Sequence, residues 1–174
     1  VMIAVHPEND GLANTRRQEL SESGCTSPKY HAISRPEECE AEAINRVIQI
    51  SAVSGDAPLY IVHLSNHLGM QYINLAKQNG LKNIFVETCP QYLMMDDSYY
   101  EREDGLKYVL SPPLRRKDNN ALLWEDIRQG DIDTVATDHC PFDYTLKQKL
   151  GGADFTKCPN GMPGVELRFP LMFS

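Results

Sequence analysis

Apolar and polar positions alternate along the chain in two rhythms. Short apolar runs at residues 1–6, 59–64, 83–88 and 132–137 predict strands, with a further short strand at 107–111. Between them lie stretches with helical spacing. After Arg35, Pro36 and two acids open a helix whose stripe is Ala41, Ile44, Val47 and Ile48, ending before Gly55. Asn66 is placed to cap a helix over 67–79 with Leu68, Tyr72, Leu75 and Ala76 inward, stopped by Gly80. A third helix is predicted over 119–128. The polar, Gly/Ser/Pro-punctuated stretch 7–35 carries a weaker helix around 11–22. Residues 96–105 read as a polar loop or short helix, and 139–164 as a loop. The last residues, from Phe169, read as a helix just beginning. Strands alternating with helices imply parallel βα units, hence an α/β fold.

Three of these strands end in a residue that can bind a metal. Ile3-Ala4-Val5 leads to His6, Leu59-Tyr60-Ile61-Val62 leads to His63, and Thr134-Val135-Ala136-Thr137 leads to Asp138. Rigid strand ends that present imidazole and carboxylate groups are how a βα-barrel assembles a metal site. Each residue also has a simpler reading. A histidine is often a satisfied structural residue, and Asp138 could cap the next turn, ligate a metal, act as a general base, or do two of these. His67 and His139 are read as supporting or structural, and His31 as structural or lining the site mouth.

Composition narrows the partners. A net charge of -7 and a pI near 5.2 disfavour nucleic acid and anionic membranes. The longest basic cluster is Arg115-Arg116-Lys117, too short for a nucleic-acid footprint. Five cysteines without a Cys-x-x-Cys pair read as reduced thiols in a cytoplasmic protein. Cys89 and Cys140 have no base beside them in sequence and are expected to be buried small hydrophobes. Lys147, Lys149 and Lys157 are expected to be solvated. No apolar stretch approaches the length that spans a bilayer. The chain opens inside a strand and closes on an apolar run, so it reads as a fragment of a longer protein.

Several segments in shared order resemble the dihydropyrimidinase/D-hydantoinase family of cyclic amidohydrolases. They are His6-Pro7-Glu8-Asn9-Asp10, Ser34-Arg35-Pro36-Glu37, Val62-His63-Leu64-Ser65, Glu87-Thr88-Cys89-Pro90-Gln91-Tyr92-Leu93 and Tyr108-Val109-Leu110-Ser111-Pro112-Pro113. Thr137-Asp138-His139-Cys140-Pro141-Phe142, Asp154-Phe155-Thr156-Lys157 and Pro159-Asn160-Gly161-Met162-Pro163-Gly164 complete the match. Pro7 and His139 depart from residues common in that family.

The resemblance implies a partial TIM-like (β/α)₈ barrel, roughly strands five to eight. Residues 1–174 would be one fragment of an amidohydrolase barrel domain, with no second domain. It implies two divalent metals, usually zinc, bridged by a carbamylated lysine that lies outside this chain. His6 and His63 resemble the two histidines of one metal, and Asp138 the ligand of the other and the proton shuttle. Ser111 and Asn160 resemble positions whose backbone holds a small cyclic amide substrate. The parent would be a homo-oligomer, a tetramer by resemblance, and the fragment alone would be inactive. The competing expectations are an allantoinase- or dihydroorotase-type enzyme, and a non-catalytic scaffold like the collapsin-response mediators.

Overall fold

A computed structural model describes residues 1–173. Four strands, β1 (Ile3–Val5), β2 (Leu59–Ile61), β3 (Ile84–Thr88) and β4 (Thr134–Val135), form one parallel sheet in sequential order. Ile3 pairs with Leu59, Leu59 with Ile84, and Thr88 with Val135. Parallel neighbours in chain order, each joined through helix, are the repeating unit of a βα-barrel. The sheet is thus an arc of such a barrel.

The helices are α1 (Asp10–Glu22), α2 (His31–Ser34), α3 (Glu37–Val53), α4 (His67–Gln78), α5 (Pro90–Met94), α6 (Lys117–Gln129), α7 (Tyr144–Gly151) and α8 (Arg168–Met172). Local chemistry explains their starts. Asn9 caps α1 by accepting from the Leu12 amide, and Asn66 caps α4 by accepting from Gly69. Glu37, Glu38 and Glu40 place negative charge in the first turn of α3. Gly130 ends α6 with φ 78°, a conformation cheap only for glycine.

Strand alternation sorts the two faces of the sheet. Leu59, Ile61, Ile84 and Val86 are buried with Ile44 and Ile48 of α3 and Met70 and Ile73 of α4. Tyr60, Val62, Phe85 and Glu87 lie between them on the other, half-buried face, which corresponds to a barrel interior.

Five expectations need correction, one of them the solvated Lys147, which is buried. The buried stripe of α4 is Gly69, Met70, Ile73 and Ala76, while Tyr72 and Leu75 are exposed. The cause is close approach to α3: a β-carbon on Gly69 would sit 2.7 Å from Ile44 Cδ1, so the helix turns its smallest residue toward its neighbour. Residues 107–111 are not a strand. The 3-10 turn Gly105–Tyr108 leads into an extended segment that joins no ladder. The expected loop 139–164 contains α7, started when Asp143 accepts from the Thr145 amide at 2.7 Å, and the 3-10 turn Phe155–Lys157. Cys140 is exposed, whereas Cys89 is buried as expected.

Candidate active site

β1 and β2 lie side by side and release the chain at the same edge. Val62 donates its amide to Val5 O at 3.2 Å, so His6 and His63 leave the sheet together. Their rings meet, His6 Nδ1 standing 2.8 Å from His63 Nε2. The protons in this pair follow from a third group. Glu8, its side chain 3 % exposed, lies 3.1 Å from His6 Nε2 and 2.6 Å from Arg35 Nη1. Burial raises the Glu8 pKa, but the His6 hydrogen bond and the charges of Arg35 and Arg115 outweigh it and bring it to about 2. An ionised carboxylate only accepts, so His6 Nε2 donates to Glu8, and a His6 ring carrying that single hydrogen offers its Nδ1 lone pair toward His63. His63 Nε2 donates to that lone pair. His63 Nδ1 is buried and has no hydrogen-bond partner.

The backbone marks the same positions. His63 has φ 41° and Asp138 has φ 46°, left-handed values that cost a non-glycine residue on the order of 1–2 kcal/mol. Only Asp56 shares this feature among the described non-glycine residues. The His63 amide donates to Glu87 Oε1 at 3.2 Å. Tyr60 donates to Glu87 Oε2 at 2.8 Å, which leaves Thr134 to donate to the Tyr60 hydroxyl oxygen at 2.7 Å. This chain of bonds crosses β2, β3 and β4 on the interior face and holds the turn after β2. Burial and the neighbouring His6 push the His63 pKa down, and Asp138 opposes them.

Asp138 is exposed at the end of β4. The loop behind it is tied down: Cys140 donates to Met162 O at 3.0 Å, and His139 Nδ1 accepts from the Gly164 and Val165 amides. Residues 160–164 therefore run alongside the exit of β4. Gly161 also donates to Val109 O at 3.0 Å, which brings Asn160 toward the segment carrying Ser111. Ser111 Oγ and Asn160 Oδ1 are buried polar atoms without partners.

The structure thus joins His6 to His63 directly and links the Ser111 and Asn160 segments. Among the described residues no three histidine, cysteine, aspartate or glutamate side chains converge as a metal-binding group. The residues present still fit a divalent cation in part. His6 Nδ1 and His63 Nε2 meet at the sheet edge, and with the hydrogen between them displaced both would present lone pairs to such an ion. The remaining donors would come from elsewhere. His31 is buried in α2 with Nε2 2.7 Å from Leu110 O, and His67 pairs with Asp126 at 2.8 Å. Both are structural here. Sequence reasoning missed Glu8 and Arg35 as functional supports. The signal for Glu8 was its place two residues beyond His6.

A sheet arc that gathers imidazole, carboxylate and unsatisfied amide or hydroxyl groups at its carboxyl edge matches the place where βα-barrels build their active sites. No family model matches the chain. It is 53 % identical over 173 residues to D-phenylhydantoinase of Escherichia coli O81 (strain ED1a), covering 99 % of this chain and 37 % of that protein. The crystal structure of dihydropyrimidinase from Brevibacillus agri NCHU1002 superposes on all of it with TM-score 0.96 and 43 % identity, over 38 % of its own length. D-hydantoinase from Thermus sp. matches 99 % of it with TM-score 0.95 and 40 % identity, again over 38 % of its own length. The chain belongs to the dihydropyrimidinase/D-hydantoinase family, and it spans little more than a third of the length of the relatives it matches.

Proposed function

We propose that the full-length protein containing this chain hydrolyses a cyclic amide, opening a dihydropyrimidine or hydantoin ring to an N-carbamoyl amino acid. The observation that carries this reading is the 2.8 Å approach of His6 Nδ1 to His63 Nε2 at adjacent parallel strand ends. Hydantoinase relatives at about half sequence identity support it.

His6 and His63 would hold one divalent cation, and Asp138 would contribute to a second. When bound, two such ions, zinc being the usual choice, lower the pKa of water and polarise a carbonyl. Glu8 and Arg35 keep the His6 Nδ1 lone pair facing the site. Asp138, at the open end of β4, takes the proton from the attacking water and delivers it to the ring nitrogen as the C–N bond breaks. The backbone at Ser111 and Asn160 binds the ring amide and fixes which carbonyl faces the nucleophile. Residues 1–174 form part of one barrel domain. They supply neither the remaining ligands nor the bridging carbamylated lysine, so this segment alone is inactive. The parent acts as a homo-oligomer.

The test is hydrolysis of hydantoin and dihydrouracil by the full-length protein, with metal content measured alongside. Ring opening that is lost on chelation and in Asp138→Ala is expected. Normal turnover by Asp138→Ala would remove the assigned role, and a folded, metal-free, inactive protein would favour the scaffold reading.

A further inference from the structure

The sequence offers Lys147 as an ordinary surface charge, but the structure buries it. It lies on α7 with 2 % of its surface exposed. Its ammonium group faces three backbone carbonyls: Gly161 O at 2.7 Å, Val109 O at 2.8 Å and Lys107 O at 3.2 Å. An ammonium has three hydrogens, and each has an acceptor. No carboxylate neutralises it among the described residues. Burial pushes its pKa down, and only the Cys158 and Cys140 thiols oppose that. A buried charge without a counter-charge is costly, and surface placement one turn away was available. Its retention asks for a gain in geometry.

We propose that Lys147 is a positioning residue that clamps the segment carrying Ser111 to the segment carrying Asn160, fixing the two backbones at the spacing a cyclic amide needs. This inference rests on the cyclic amide reading above. Three observations support it. First, Val109 O is shared between the Lys147 ammonium and the Gly161 amide, so one carbonyl joins both segments. Second, the next carbonyl, Leu110 O, is held by His31 Nε2 at 2.7 Å from α2. Successive carbonyls of an extended segment point opposite ways, so 109 and 110 are anchored from two helices and Ser111 follows a fixed base. Third, the two polar side-chain atoms left buried without partners beyond the clamp are Ser111 Oγ and Asn160 Oδ1. A rigid frame ending in unsatisfied groups is the form a preorganised amide-binding edge takes.

The experiment compares the full-length wild type with Lys147→Met and Lys147→Gln in steady-state hydantoin and dihydrouracil hydrolysis, with metal per chain measured for each. Methionine keeps an unbranched chain one atom shorter than lysine and removes every donor, whereas glutamine, as long as methionine, keeps two. The expected result is a KM raised about tenfold or more in K147M, an intermediate KM in K147Q, and unchanged metal content in both. A folded K147M with wild-type KM overturns the proposal. So does loss of kcat and metal together with no change in KM, which would mark Lys147 as structural only. Should K147M fail to fold, K147Q decides alone: a raised KM at full metal content supports the clamp, and a wild-type KM overturns it. A wild type that binds metal but opens neither ring would overturn the cyclic amide reading, and this inference with it.

Discussion

Arg115→Met tests the network that stands behind His63. Arg115 and Glu40 are both buried, with side chains 3 % and 0 % exposed. The guanidinium donates to Ser65 Oγ at 2.8 Å, to Arg35 O at 2.5 Å and to Glu40 at 3.1 Å. Glu40 also accepts from the Ser65 amide at 2.9 Å, the Ser65 hydroxyl and the Asn66 amide group. This cluster ties α3 to the turn that follows His63. Methionine fills much of the same volume but leaves the Glu40 carboxylate buried without its cation. Breaking a buried pair from one side costs about 3–5 kcal/mol. For a chain of this length that lowers Tm by roughly 6–20 °C. Burial already raises the Glu40 pKa and Arg115 opposes it. Removing Arg115 raises it further, so the variant is weakest at high pH and regains stability as Glu40 takes up a proton on acidification. Adding Glu40→Gln, which removes the orphaned charge, restores part of the loss at neutral pH. The assay is urea denaturation followed by fluorescence of Trp124, the single tryptophan of the chain. A loss below about 1 kcal/mol in the single variant would refute the assignment of a tight buried pair.

Two further outcomes follow from buried groups near the substrate edge. Burial lowers the His31 pKa to about 4, against a smaller opposing effect from the Leu110 carbonyl. Because the folded value lies below the unfolded one, this stability is complete above about pH 6.5 and is lost as pH falls through 4, about 3 kcal/mol in all. Urea midpoints at neutral and acidic pH should therefore differ less in His31→Gln than in the wild type, and equal differences would contradict the buried neutral ring. At Gly161, φ is 152° and an added β-carbon would lie 2.3 Å from Cys140 O. Gly161→Ala should cost roughly 2 kcal/mol or more in denaturation, whereas Gly24→Ala, with nothing within 4 Å, should cost about 1 kcal/mol from backbone conformation alone. Equal costs would show that the close approach at Gly161 is absent.

The sequence by itself determined the parallel βα order, the cap at Asn66 and the stop at Gly80 on either side of α4, and the three strand ends at His6, His63 and Asp138. These are local facts: a strand period of two, a helix period near 3.6 and the chemistry of a cap act within a few residues. It also carried the family resemblance, because that depends on ordered segments. Tertiary structure decided the rest. The face of α4 depended on how closely Gly69 could approach Ile44, a distance between elements 25 residues apart that no periodicity encodes. Lys147 looked solvated because charge predicts exposure. Its three acceptors, in residues up to 40 positions away, meet only when α7 packs against the turn before Ser111. The bond from His6 Nε2 needed Glu8 folded back beneath it, and the left-handed backbone at His63 is held by its amide bond to Glu87 of β3. Residue types were legible in sequence because chemistry belongs to side chains, while pairing, protonation and strain were not, because they arise between segments that only the fold brings together.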